Sequence, residues 1–387
     1  MKDGLPPKGD PATVYVIDIS SYVFRAYHAL PPLSNSKGEP THAVAGVAGM
    51  LLKLLREREP QSVITAMDSP KGSFRKDLYP AYKANRPPAP ADLKQQMLRV
   101  RQLAEVWGLC PVEADGYEAD DIIATLVSEA RKRGRRVVIV SADKDLLQLV
   151  GDDVVMYDTM RDKTFGAAET LEKFGVEPAQ VRDLLALMGD SSDNVPGVPS
   201  VGQKTAAKLL QDWGSLEAIY ENLDELTRKA LKQKLSDHRE EAMTSRELVS
   251  LKDDLDLDAS LLDRPFDGGD RTALRGLFTE LEFSRLLAQM EPADSEVVQG
   301  HYETITDAEH LGRLAQAIRD AGSFSLYTVT DIEDPLRADL VGVAFSWLDG
   351  VSAYVPLGHR YIGAPDHSSW EELAPVLKPL LENSLIP

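Results

Sequence analysis

Three short runs of apolar, mostly β-branched residues each break off at an aspartate, and segments of helical length separate them. The runs are Val14-Tyr-Val-Ile-Asp18, Ser62-Val-Ile-Thr-Ala-Met-Asp68 and Arg136-Val-Val-Ile-Val-Ser-Ala-Asp143. Unbroken apolarity, rather than alternation, marks strands buried on both faces, as in parallel sheets. The helical segments are Ala43 to Glu59, Leu93 to Trp107 and Glu118 to Arg133. In the second, Leu93, Met97, Val100, Ala104 and Trp107 form one apolar stripe, and Gly108 marks its stop. This alternation predicts an α/β fold with a mostly parallel central sheet and flanking helices. Ligands of such sheets gather at the carboxyl ends of the strands, where Asp18, Asp68 and Asp143 would all sit.

The 387 residues suffice for two or three domains. No apolar run approaches the ~18 residues of a membrane span, and the first ten residues lack the apolar core of a secretory signal. The single cysteine, Cys110, rules out an intramolecular disulfide framework and a multi-cysteine zinc site. The cytoplasm is the expected compartment. The net charge of −19 argues against a polyanionic partner if charge is spread evenly. Both signs cluster instead: Lys71 to Arg86 holds five basic residues against one aspartate, and Arg131 to Arg136 five in six. The second run closes a helix, where cations suit the dipole.

Acids accumulate where capping alone would call for one or two. Glu118, Asp120 and Asp121 open a helix whose Ile122, Ile123, Leu126 and Val127 face a core; Asp143-Lys-Asp145 follows a strand; Asp190 and Asp193 follow a helix. Convergence would put up to nine carboxylates in one cleft, and like charges that close need counter-charge. Oxygen-only ligands suit Mg²⁺ or Mn²⁺, and a pair of such ions suits in-line attack on a phosphodiester. From Pro178 to about Leu251 the chain reads as mostly helical, and Asp253 to Asp270, with seven aspartates against one arginine, as a solvated connector. Cys110 reads as a packed core thiol and His28 as structural.

These motifs resemble the 5′-nuclease (flap endonuclease) family, in the form found at the N-terminus of the bacterial DNA polymerase I family. The likeness runs through Val14 to His28, Ser73-Phe-Arg75, Tyr82 to Pro88, Gly116 to Asp121, Ala142 to Asp145 and Leu187 to Gly197, over about residues 12 to 290. It implies a PIN-like, flap-endonuclease-like fold: an N-terminal tail (1–11), a catalytic domain (12–176) and a helical, helix-hairpin-helix-like duplex-binding region (177–290). A helical arch over the flap would fall within about Ser73 to Ala114. The resemblance implies two Mg²⁺ or Mn²⁺ ions held by Asp18, Asp68, Glu118, Asp120, Asp121, Asp143, Asp145, Asp190 and Asp193. Asp18, Asp68, Glu118, Asp120, Lys83 and Arg86 would be catalytic. Arg25, Arg75, Tyr82, Lys83 and Arg86 would meet the substrate, and Gly202, Lys204 and Lys208 the duplex backbone. The chain departs from the family at Ile19 and Ser200, where glycine is usual.

The implied activity is that of a structure-specific 5′→3′ exonuclease and flap endonuclease, acting as a monomer on DNA with a 5′ flap, nick or RNA primer, away from membranes. A catalytically inactive branched-DNA-binding module is the alternative, and the full set of acids favours the enzyme. A phosphatase with an aspartate nucleophile would need a second aspartate at Ser20. After a linker at 291–299, residues 300–387 resemble the opening of a ribonuclease H-like 3′→5′ exonuclease domain. Tyr327 and Val329 stand where that domain carries its metal-binding acids, so no proofreading is expected. The chain stops partway through such a domain, and no polymerase motif is expected in it.

Overall fold

The computed structural model describes residues 4–290, 300–332, 337–359 and 370–382. It divides into two compact units, Met1–Ala288 and Gln289–Pro387. The linker expected at 291–299 lies outside the described residues.

The first unit is built on six strands: β1 (Thr13–Asp18), β2 (Val63–Ala66), β3 (Pro111–Val112), β4 (Arg136–Val140), β5 (Val154–Asp158) and β6 (Lys163–Phe165), in the order β3-β2-β1-β4-β5-β6. All neighbours are parallel except β5 and β6. Every residue of β1 is buried, as its unbroken apolarity requires. Asp18 pairs with Ala66, two residues before Asp68, and Ile17 with Val140, three before Asp143. Register alone therefore delivers the three aspartates to one edge.

Two strands are shorter than expected. The sheet releases the chain at Ala66 and at Val140, so Asp68 and Asp143 stand in turns rather than on strands. Backbone polar groups at these turns are satisfied locally: Asp143 Oδ1 accepts from the Asp145 amide at 2.9 Å, opening the 3-10 turn Lys144–Leu149. The helices His42–Arg58, Ala91–Val106 and Ala119–Lys132 fall within two residues of their predicted limits.

Five helices follow between residues 181 and 249: Val181–Met188, Gln203–Trp213, Leu216–Glu221, Lys229–Asp237 and Arg239–Val249. The loop after Met188 closes on itself because Gly189 and Gly197 are both left-handed, with φ of 68° and 61°. A Cβ on Gly197 would stand 2.3 Å from the Gly189 nitrogen, so only glycine permits this backbone approach. The acidic stretch 253–270 is pinned rather than simply solvated, since Leu262 is fully buried and the Phe266 amide donates to Gln61 O at 2.9 Å. The basic run 131–136 is spent on structure: Arg131 pairs with Asp153, Arg133 with Asp263 and Arg136 with Asp10.

The second unit holds β7 (His301–Thr304), β8 (Ser325–Thr330), β9 (Leu340–Leu348) and β10 (Val351–Pro356), in the order β7-β10-β9-β8. Helices Ala308–Ala321 and Trp370–Leu381 bury Leu311, Ile318 and Leu377 with Phe345 and Val355 of the sheet. No helix among the described residues is long and apolar enough to cross a membrane.

Candidate active site

At the carboxyl edge of the first sheet lies an open pocket of about 570 Å³. Asp18, Asp68, Glu118, Asp120, Asp143 and Asp193 line it, with Arg25, Lys83 and Arg86 beside them. Each acid is held by the element that delivers it. Asp18 caps the helix Ile19–Ala29 by accepting from the Ser21 amide at 2.9 Å, and its other oxygen accepts from Ser141 Oγ at 2.8 Å. Asp68 accepts from the Ala119 amide at 2.9 Å, so the turn after β2 satisfies the first amide of the helix Ala119–Lys132. Ser141 Oγ also accepts from the Asp143 amide at 3.1 Å, and Ser20 Oγ from the Asp68 amide at 2.9 Å. These two serines tie the strand ends together. The sequence assigned neither of them this role, although each stands within a motif that it singled out.

The acids repel one another. Burial first, then the Asp68 and Asp143 charges, push Asp18 up to about 7. Burial followed by Asp143 pushes Asp145 up to about 8. Burial, then Asp143 and Asp18, holds Asp120 well above the usual carboxylate range. Asp145 and Asp190 stand outside the pocket wall. Asp145 Oδ1 is buried with no hydrogen-bond partner, while Asp190 pairs with Lys144 at 2.6 Å. Burial works against the Asp190 charge, yet the bonds from Lys144 and Ser192 hold its carboxyl below the ordinary range.

The turn 79–86 supplies the cations. Lys83 adopts a left-handed φ of 55°, and its amide donates to Asp193 O at 2.9 Å. Its ammonium is thereby turned onto Glu118, with Asp193 3.5 Å away. Arg86 pairs with Asp193, and its side chain is half exposed. Arg25 lines the pocket while pairing with Asp158 at 2.9 Å. The stretch expected to arch over the site runs through the helix Arg75–Leu78, this turn and the helix Ala91–Val106, which packs on the helices Ile19–Ala29 and His42–Arg58. The turn is the part that reaches the acids.

Three expected roles are corrected. Arg75, expected at substrate phosphates, is 1% exposed and grips both oxygens of Asp121 at 2.7 Å. Its remaining donors go to Glu118, Leu248 O and Ser250 O. Asp121, expected on a metal, is fully buried and further accepts from the Glu118 and Lys252 amides. It has no oxygen left for an ion. Tyr82, expected against DNA, is 4% exposed; its hydroxyl lies 3.0 Å from Glu118 Oε2 and 3.2 Å from Asp193 Oδ2. A buried ring cannot stack on a base. Glu118 and Asp121, three residues apart at the start of one helix, share a face, and packing decides that Asp121 is the one turned to the core. His28, expected to be structural, is exposed at the pocket wall.

Gly202, Lys204 and Lys208 lie apart from the pocket, at the start of the helix Gln203–Trp213, where Gly202 is the N-cap. All three are exposed, and Lys208 pairs with Asp212 at 2.7 Å. Gly202 has an ordinary φ of −92°; the left-handed residue of this loop is Ser200, with φ 66°, which accounts for the glycine usual there in the resembled family.

Among the described residues no three acid, histidine or cysteine side chains already form a cage around one point. The donor set still fits hard divalent cations. It is all oxygen, it leaves Asp145 Oδ1 unpartnered, and its raised carboxyls call for positive charge.

A mostly parallel sheet whose strand ends carry an acid pocket edged with lysine and arginine is the frame on which the comparisons with known proteins bear. Residues 13–175 match the family model described as 5′-3′ exonuclease, N-terminal resolvase-like domain, and residues 176–272 match the 5′-3′ exonuclease, C-terminal SAM fold. The chain is 40% identical over 279 residues to the 5′-3′ exonuclease of Aquifex aeolicus, covering 72% of this chain and 95% of that protein. It is 38% identical over 392 residues to DNA polymerase I of Pseudomonas aeruginosa, covering 96% of this chain but 43% of that one. In fold it is similar to the bacteriophage T5 flap endonuclease solved with DNA and metal ions, with TM-score 0.53 and 21% identity over 72% of this chain and 100% of that one. The chain belongs to the 5′-3′ exonuclease family, and it spans less than half the length of the Pseudomonas aeruginosa polymerase that it matches.

Proposed function

We propose that this chain hydrolyses phosphodiester bonds in DNA carrying a 5′ flap, a nick or an RNA primer, acting as a monomer with two Mg²⁺ or Mn²⁺ ions. The observation that supports this most is the convergence of six acids with Lys83, Arg86 and Arg25 in one open pocket. Asp18, Asp68, Glu118, Asp120 and Asp143 would hold one ion, and Asp145, Asp190 and Asp193 would complete the site of the other. When bound, such ions would supply Lewis-acid activation of the attacking water and charge stabilisation of the leaving oxygen.

The protein's own residues do the rest. Ser20 and Ser141 fix the strand ends, so that the carboxylates of Asp18 and Asp68 keep their positions as charge arrives. Lys83 and Arg86 neutralise Glu118 and Asp193 in the free protein and offer their donors to the scissile phosphate when it enters. Gly202 and Lys204 would hold the duplex backbone, through phosphate contacts that carry no sequence information.

The test is digestion of a 5′-labelled flap duplex with Mg²⁺ and with EDTA. Cleavage near the flap junction that needs Mg²⁺ and disappears in Asp120→Asn is expected. Binding without cleavage would make the chain the inactive branched-DNA module, and cleavage that survives EDTA would remove the metals from the reading.

A further inference from the structure

The antiparallel edge of the first sheet carries cations that the acid pocket does not use. Lys163 lies on β6, Arg161 in the turn before it, and Lys173 on the helix Ala167–Phe174. Lys163 Nζ lies 5.0 Å and Lys173 Nζ 5.2 Å from the centroid of the Phe165 ring, so two like charges gather around one buried aromatic. The nearby carboxylates are committed elsewhere. Asp158 pairs with Arg25 at 2.9 Å, Asp162 accepts from the Tyr157 hydroxyl at 2.7 Å, and Glu169 accepts from the Gly166 amide at 2.8 Å. Arg161 reaches Asp158 only at 3.9 Å, and among the described residues neither Lys163 nor Lys173 has a carboxylate partner.

In a chain with 62 acidic residues and a net charge of −19, two lysines left together without a carboxylate partner need an explanation. Burial, with the Lys144, Arg161 and Lys163 charges, holds the Lys173 ammonium below the ordinary lysine range, and Asp143 opposes this. On one side the cluster reaches the acid site through Asp158, which Arg161 approaches at 3.9 Å and which pairs with the pocket-lining Arg25 at 2.9 Å. On the other, Gln203 Nε2 donates to Lys173 O at 2.7 Å, tying the cluster to the start of the helix Gln203–Trp213, beside Gly202 and Lys204. An anion bound between would relieve the repulsion, and a polyanion would join the two sites that the cluster adjoins.

We propose that Arg161, Lys163 and Lys173 form a second anchor for the sugar-phosphate backbone of the DNA duplex, adjoining both the acid pocket and the 202–208 segment. It rests on the nuclease reading above. Phosphate contacts of this kind act through counter-ion release, so each one lost lowers the slope of log affinity against log salt by roughly 0.9.

The test is a salt series of binding to a labelled 5′-flap duplex, with EDTA present so that nothing is cut. It compares the intact chain with K163Q/K173Q and K163R/K173R, after thermal melts have shown that each is folded. The slope is expected to fall by about 2 in the glutamine variant and to hold in the arginine variant. Should the glutamine pair fail to fold, R161Q/K163Q, both exposed, carries the same expectation. An unchanged slope in a folded glutamine variant, with the intact chain binding normally, overturns the second anchor alone. Failure of the intact chain to bind the duplex overturns the nuclease reading and the anchor with it.

Discussion

Arg75 and Asp121 form a bidentate ion pair, two bonds of 2.7 Å, between side chains that are 2% and 0% exposed. Arg75 also donates to Leu248 O at 2.7 Å and Ser250 O at 2.9 Å, so one guanidinium joins the short helix Arg75–Leu78, the helix that presents Glu118 and the end of the helix Arg239–Val249.

Removing one partner of such a pair strands a buried charge. Arg75→Met is expected to destabilise the protein by about 3–5 kcal/mol in urea unfolding, and the double variant Arg75→Met/Asp121→Leu by clearly less. A loss below about 1 kcal/mol in the single variant would return Arg75 to the substrate face.

Stability without metal should fall as pH rises. Asp18 and Asp145 are pushed from an ordinary 3.8 up to about 7 and about 8, so between roughly pH 4 and 8 the folded state binds more protons than the unfolded one. Their contribution is complete below pH 4 and is lost as pH rises through 7 and 8. In EDTA the melting temperature at pH 8.5 is expected to lie below that at pH 5.5, and Mg²⁺ should close the gap at pH 8.5 by supplying the missing charge. Equal melting temperatures in EDTA would count against the repulsion.

Lys83 and Lys204 separate chemistry from grip. Lys83→Ala, which removes the cation from Glu118, is expected to slow single-turnover cleavage of bound flap roughly 10²- to 10³-fold. Lys204→Ala should instead weaken duplex affinity and lower its salt slope by roughly 0.9. Both are read from cleavage under saturating enzyme and from a binding isotherm at several salt concentrations.

Residues 300–382 should not proofread. Tyr327, 71% exposed on β8, and Val329 on the same strand offer no hard oxygen for a divalent ion. Removal of mismatched 3′ nucleotides by a chain carrying Asp143→Asn would contradict this.

Much of the first sheet was legible because one local property, unbroken apolarity, marks a strand buried on both faces wherever it occurs. β1 and β4, with the helices between, could be read so, and Asp18 and Asp143 fall at or just past their ends, where the chain leaves the sheet. The two-residue β3 and three-residue β6 carry no such signal, being placed by pairing with strands distant in sequence. Sequence alone determined which residue types were available: nine acids, a cluster of cations and no cysteine pair. Tertiary structure decided how they are used. Asp120 and Asp121 are neighbours in the chain, but a helix turns successive side chains about 100° apart. A single residue's step along that helix leaves Asp120 in the pocket and Asp121 beneath it on Arg75. Pairing is a property of distance in space, which is why Arg75 on Asp121 and Tyr82 on Glu118 took roles that the linear order of residues does not contain.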